Sequence, residues 1–299
     1  MSDSALAGVV AASITPVTAD FKIDIQRLRT HGEHLLDCGC SFISTFGTTG
    51  EGASFSTAEK IAALTELKAQ GMEMGRQLPA VMTPSLDDAV ESLLAYGRLG
   101  CRAALVLPPF YYGASEAGIA AFFDALIART ETQTRIDLVL YNIPQLSRHR
   151  FTQPLIARLI ERHGTRIAGI KDSTGDLDNG LMLVKSFPQL RVFTGDDRVL
   201  PVLVRNGGAG MIGGMPNVFA SELKALFDNP NDAAILNKQA RRIEAVDTHG
   251  SLVALKAALA HYRNDENLAT AMPPLLALSR EERAMLVELI EQTGYRAAA

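Results

Sequence analysis

Short apolar runs and helix-period segments take turns along most of this chain. The runs fall at Val9 to Ile14, Phe42 to Phe46, Leu78 to Met82, Ala103 to Leu107, Leu138 to Tyr141, Ile167 to Lys171, Val192 to Thr194 and Gly210 to Ile212, eight in all. Between most of them lie segments with apolar residues three and four apart, such as STAEKIAALTELKAQG (56–71) and LDDAVESLLAYGRLG (86–100). Ser56 and Thr57 with Glu59 behind them open the first of these, and glycine closes both, which are the end signals of an amphipathic helix. Strand, helix, strand, repeated, forces right-handed crossovers and a parallel sheet with both faces covered. Eight such units predict a closed (β/α)8 TIM barrel in preference to an open doubly wound sheet. An open sheet would want a glycine-rich phosphate fingerprint after its first strand, and ASITPVTAD is not one. From about Asn217 onward the pattern is helical only, with AMPPLLALS (271–279) as a proline break before a last amphipathic helix. The expected organisation is a barrel over residues 1–220 that carries the site, and a small C-terminal helical region over 221–299.

Composition narrows the class. With 299 residues and 47% hydrophobic content, the chain has enough apolar material for a sizeable core. A net charge of −4 and only short basic clusters, such as Arg148-His149-Arg150, leave no footprint for a phosphate backbone, so nucleic acid is not an expected partner. The N-terminus lacks a basic n-region and no run is long enough to span a bilayer, which predicts a soluble, cytoplasmic protein with no membrane contact. Cys38, Cys40 and Cys101 cannot all pair, which suits a reducing compartment. Cys38 and Cys40 with His31 and His34 match no zinc spacing, so they read as a helix face followed by buried thiols, and no metal is expected.

The stretch RIAGIKDSTGD (166–176) carries the chemical signal, because its apolar run ends on a lysine. Strand residues alternate between the barrel interior and the helix-packed outside. If Ile170 faces the helices, Lys171 points inward at the C-terminal mouth of the sixth strand, where barrel enzymes place reacting groups, with Gly169 clearing space below it. Burial penalises an ammonium and so favours the neutral amine, a nucleophile able to form a Schiff base with a ketone. Two other fates for Lys171 stay open at this level, a side chain that reaches back to solvent or one paired with Asp172. Two further strand ends offer matching chemistry. STFGTTGEGASF (44–55) follows the second strand with hydroxyls at Thr48 and Thr49 and backbone N–H groups suited to a carboxylate. LVLYNIPQ (138–145) ends the fifth with Tyr141, whose phenol could relay a proton or simply pack.

In this order the motifs ITPVTADFKID (14–24), GTTGE (47–51), PPFYYGAS (108–115), YNIP (141–144), GIKDSTGD (169–176), TGDD (194–197) and GMIGGMPN (210–217) resemble the pyruvate-dependent class I aldolases, the family that includes dihydrodipicolinate synthase and N-acetylneuraminate lyase. The resemblance implies a homotetramer of tight dimers in which Lys171 forms the Schiff base with pyruvate or another 2-keto acid, condensed with or cleaved from an aldehyde. It implies that Thr48 and Tyr141 belong to a proton relay completed by Tyr111 from a neighbouring subunit. It also implies that Thr49 binds the keto-acid carboxylate, that Gly195 and Ile212 line the site, and that no metal or organic cofactor is needed. This chain departs from both named activities. Leu146 stands where the synthases have an arginine for the aldehyde's carboxylate, with Arg148 nearby. Arg198 and Gly214 stand where the sialate lyases have an acidic and a hydroxyl residue. The leading expectation is a Schiff-base lyase acting on a 2-keto acid, with a sugar acid as a candidate substrate. The alternatives are the lysine-pathway synthase using Arg148, a non-catalytic ligand-binding barrel, and a phosphate-binding barrel based on the glycines of RNGGAGMIGG (205–214).

Overall fold

The computed structural model describes residues 6–296. Eight strands, β1 (Gly8–Ala12), β2 (Phe42–Ser44), β3 (Ala80–Val81), β4 (Ala103–Val106), β5 (Asp137–Asn142), β6 (Ile167–Asp172), β7 (Arg191–Thr194) and β8 (Gly210–Gly213), coincide with the eight apolar runs. Their pairings are parallel, in the order β2-β1-β8-β7-β6-β5-β4-β3. The ring closes between β2 and β3 through a parallel bridge from Ile43 to Gln77, with Leu78 N donating to Ile43 O (2.7 Å) and Ala80 N to Thr45 O (2.9 Å). A sheet joined to itself in this way leaves no open edge.

Helices fill the connections: α1 (Ile25–Asp37), α2 (Thr57–Ala69), α3 (Leu86–Leu99), α4 (Glu116–Ala128), the single turn α5 (Pro144–Ser147), α6 (Gln153–His163), α7 (Leu177–Ser186) and α8 (Leu200–Arg205). Side-chain caps start most of them, at Asp24, Ser56, Ser85, Ser115, Thr152 and Asp176, each accepting from a backbone N–H of the first turn. The expected capping box of α2 is present in full, with Ser56 and Glu59 each accepting from the other's N–H. Gly100 closes α3 in the left-handed region at φ +87. After β8 the chain is helical: α9 (Pro216–Asp228), α10 (Ala233–Thr248), α11 (Leu252–Arg263) and α12 (Arg280–Glu291). These four share one apolar cluster with the outer faces of β1 and β8, built from Val9, Ala11 and Met211 together with Phe219, Val246, Ala258 and Leu286. Residue 220 lies within α9, so the helical region begins as a continuation of the barrel's own wall.

Two apolar layers place the site. Val10, Phe42, Ala80, Leu105, Val139, Tyr141, Phe193 and Ile212 fill the barrel interior, while Ala104, Val106, Leu138, Leu140, Ile170 and Val192 face the helices. Each fully buried aliphatic side chain contributes roughly 1.5 to 3 kcal/mol, so reversing a strand's facing is prohibitive. In β6 the alternation is interrupted once. Ile167 pairs with Leu138 and Gly169 with Val139, so Ala168 is an unpaired bulge. Ile167 and Ile170 thus both face the helices, and Lys171 turns inward opposite Tyr141. Gly169 has a different role from the expected one. A methyl group there would stand 2.6 Å from Arg191 O, so its lack of a side chain lets β7 approach the bulge and does not clear room beneath the lysine.

No helix among the described residues is long and apolar enough to cross a membrane. All three cysteines are free, with Cys40 and Cys101 buried and Cys38 partly exposed beside His34, and no metal-ligand cluster occurs among the described residues.

Candidate active site

Strands β5 and β6 present Tyr141 and Lys171 side by side at the C-terminal mouth of the barrel, as directly paired residues. Lys171 is 5% exposed and Tyr141 1%. The lysine Nζ donates to Tyr141 Oη at 3.2 Å and stands 4.3 Å from the centroid of the same ring. Tyr141 Oη in turn shares a 3.0 Å hydrogen bond with Thr48 Oγ1. Amine, phenol and hydroxyl thus form one continuous chain across strand ends that lie 30 and 93 residues apart in sequence.

Asp172 does not compete for the amine. It points to the helix side, where Asn142 Nδ2 (2.9 Å), Thr174 Oγ1 (3.0 Å) and Asn179 Nδ2 (2.7 Å) all donate to its carboxylate. Lys171 has no carboxylate within salt-bridge distance among the described residues, and its burial rules out a side chain extended into solvent. Both alternative fates weighed for it are therefore absent.

The threonine loop is shaped by its glycines. A methyl group on Gly50 would come to 2.7 Å from Ser13 O, and one on Gly52 to 1.7 Å from Phe46 O, so neither position admits a side chain. Thr15 Oγ1 donates to Gly50 O (2.7 Å), and Gly52 N to Gly47 O (3.0 Å), which ties the loop to the end of β1 and back on itself. Thr49 lies next to Gly214 at the end of β8, where a methyl group would meet its Oγ1 at 3.0 Å. Gly195 follows β7 against Ser173, and Ile212 is fully buried in the interior layer.

Two predicted residues stand apart from this group. Tyr111 is 74% exposed on the loop after β4, its ring stacked edge-on against Tyr112, which is 78% exposed, at 5.1 Å. Within one chain it bonds to neither Tyr141 nor Thr48. Arg148 caps α5 with a left-handed backbone at φ +62, exposed to solvent and without a carboxylate partner among the described residues. Leu146, the departure from the synthase pattern, is also exposed.

Sequence reasoning passed over Asp197. Its side chain is fully buried in the loop after β7, and neither carboxyl oxygen has a hydrogen-bond partner among the described residues. Oδ1 faces the end of β8, where a methyl group on Gly213 would lie 3.6 Å from it and 3.6 Å from Gly195 O. Burial, reinforced by the neighbouring Asp196 charge, pushes its pKa up to about 8, so at neutral pH it carries a proton and has one O–H to donate. The adjacent Asp196 is occupied differently, gripping Arg198 through Nε (2.9 Å) and Nη2 (2.6 Å) in an exposed pair. The only signal in the sequence was the doubled aspartate of TGDD, and its pattern gives no hint which of the two turns inward.

Comparison with known proteins follows the same lines. The family model of the dihydrodipicolinate synthetase family matches residues 5–293. An uncharacterized DapA-like lyase of Chloroflexus aurantiacus is 35% identical over 93% of this chain and 94% of its own length. A 4-hydroxy-tetrahydrodipicolinate synthase of Moorella thermoacetica is 26% identical over 96% of this chain and 98% of its own length. Among solved structures, the crystal structure of dihydrodipicolinate synthase from Agrobacterium tumefaciens superposes with a TM-score of 0.91 at 28% identity, covering 96% of this chain and 99% of that one.

Proposed function

Because the chain belongs to the dihydrodipicolinate synthetase family and is a carbon–carbon lyase of it, we propose that it works through a Schiff base on Lys171, with pyruvate as one partner and an aldehyde as the other. The observation that carries this reading is the buried Lys171–Tyr141–Thr48 hydrogen-bond chain. In the proposed reaction the amine attacks the ketone carbon of the keto acid. Loss of water then gives the imine, whose positive nitrogen draws electrons from the neighbouring carbon. In the condensing direction a C3 proton leaves, and the resulting enamine adds to the aldehyde carbon. In the cleaving direction the C3–C4 bond breaks, and the same electron pair ends in the enamine. Tyr141 Oη is proposed to take the C3 proton and to exchange protons with the carbinolamine and aldehyde oxygens, Thr48 Oγ1 connecting it onward, and addition of water to the final imine releases the keto acid and returns the amine. Because the imine itself is the electron sink, this chemistry asks for no metal or organic cofactor.

Thr49, with the backbone around Gly195 and Ile212, is assigned to the keto-acid carboxylate and the walls of the site. Tyr111 would complete the relay only from a neighbouring subunit, which accords with its outward position and with the proposed homotetramer; a cytoplasmic location is proposed with it. For the aldehyde half a hydroxylated substrate such as a sugar acid is proposed, because Leu146 stands where the synthase pattern has an arginine for the aldehyde's carboxylate. A second reading, the lysine-pathway synthase, is favoured by the exposed guanidinium of Arg148, which has no carboxylate partner among the described residues.

Reduction with borohydride in the presence of pyruvate should leave an adduct on the peptide containing Lys171, and an unmodified lysine at saturating pyruvate would remove the Schiff-base reading. Pyruvate release from a panel of hydroxylated 2-keto acids supports the first substrate class. Condensation of pyruvate with aspartate semialdehyde supports the second.

A further inference from the structure

Glu51 and Lys256 form an ion pair with no exposed side-chain surface on either member, 205 residues apart in sequence. Glu51 ends the threonine loop in a left-handed conformation at φ +53, and its backbone N–H donates to Thr48 O at 3.0 Å. Its carboxylate leaves the barrel altogether. Oε2 accepts from Lys256 Nζ on α11 and Oε1 from Met272 N at 2.7 Å, while the same Nζ also donates to Thr270 O at 2.7 Å. Leu255, next to Lys256, stands against Gly214 beside Thr49: a methyl group on that glycine would meet Leu255 Cδ1 at 2.8 Å and Thr49 Oγ1 at 3.0 Å. The C-terminal helical region therefore holds the threonine loop from behind.

Stability alone is a poor reason for such a pair. Removing two charges from water costs about as much as their attraction returns, and a well-packed apolar pair is often as stable. An apolar pair cannot fix the carboxylate to an ammonium and a backbone N–H together, which locks the backbone of residue 51 and, through its bond to Thr48 O, the turn before it. We infer that Glu51 and Lys256 are positioning residues that set Thr48 at hydrogen-bonding distance from Tyr141, making the C-terminal helical region a working part of the proton relay. This inference rests on the Schiff-base reading above. The 3.0 Å contact between Thr48 and Tyr141 has little slack, and a displacement of about 1 Å in a reacting constellation costs on the order of a hundredfold in rate.

The test separates imine formation from proton transfer. Parent, Glu51→Gln, Lys256→Met and the double variant Glu51→Leu/Lys256→Met are compared for the borohydride-trapped pyruvate adduct and for exchange of the pyruvate C3 protons with deuterium, alongside circular dichroism and melting. Leu286→Ala serves as a destabilised control, because Leu286 is buried in the C-terminal cluster, which includes no residue of the threonine loop. The single variants should keep the adduct while losing at least tenfold in exchange. The double variant should melt above either single variant, since no lone charge is left buried, but exchange no faster than they do, and the control should melt lower while exchanging like the parent. Exchange restored together with melting in the double variant, or a loss in Leu286→Ala equal to that in Glu51→Gln, overturns the inference by reducing the pair to a stabilising role. An adduct in the parent with unchanged exchange in Glu51→Gln overturns it while sparing the Schiff base. No adduct in the parent overturns both.

Discussion

Replacing Tyr141 by phenylalanine removes one oxygen and nothing else. The ring is 1% exposed and its packing in the interior layer stays, as does the face that Lys171 Nζ approaches at 4.3 Å. What disappears is the shared partner of two groups, the 3.2 Å bond from Lys171 and the 3.0 Å bond with Thr48. A typical hydrogen bond contributes about 0.5 to 1.5 kcal/mol net, so two of them set a stability loss of about 1 to 3 kcal/mol, which a chain of this size should survive folded. The kinetic effect is larger. A positioned acid or base contributes roughly 10²- to 10⁴-fold, or about 3 to 5 kcal/mol of transition-state stabilisation. Deuterium exchange at pyruvate C3, followed by proton NMR, reads this step without knowledge of the aldehyde. Circular dichroism and a denaturant titration on the same sample read the stability loss. Expected is an exchange rate down at least a hundredfold in a folded protein. A Tyr141→Phe protein that exchanges within threefold of the parent would refute the reasoning, since the phenol would then be packing only.

Three further outcomes follow from the same geometry. Lys171→Ala should abolish the pyruvate adduct while melting within a few degrees of the parent, because the lost side chain is a buried amine with no carboxylate partner; a much larger drop would make the lysine structural. Asp197 has its folded pKa raised from 3.8 to about 8, so between those values the native state binds the extra proton and the parent loses stability as pH rises. Asp197→Asn should flatten that slope, gaining on the parent from pH 5 to pH 8 in chemical denaturation, and identical slopes would show that the carboxyl ionises freely. Ser56→Ala removes one half of the α2 capping box and should lower stability by about 1 kcal/mol, measured from the denaturant midpoint, with pyruvate exchange unchanged.

Residue patterns alone carried the architecture. Eight apolar runs separated by capped, amphipathic segments admit essentially one compact solution, because parallel strands buried on both faces need helices around them, and the closing bridge from Ile43 to Gln77 removes the last open edge. The chemistry-bearing strand ends were also legible, since Lys171, Tyr141, Thr48 and Thr49 each stand at the end of such a run, and the family motifs tie them together.

What the chain could not state is which way each group turns. Strict alternation along β6 would set Ile167 and Lys171 on the same face, and only the bulge at Ala168 sends one to the helices and the other into the barrel. Asp196 and Asp197 are neighbours of one type, yet one grips Arg198 at the surface and the other is buried with no hydrogen-bond partner among the described residues. Glu51 and Lys256 show nothing locally, because their meaning is a contact across 205 residues. Periodicity fixes elements, since it is a property of neighbours in sequence. Side-chain facing at a bulge, burial in a loop and pairing between distant elements are properties of neighbours in space, and only the folded chain creates those.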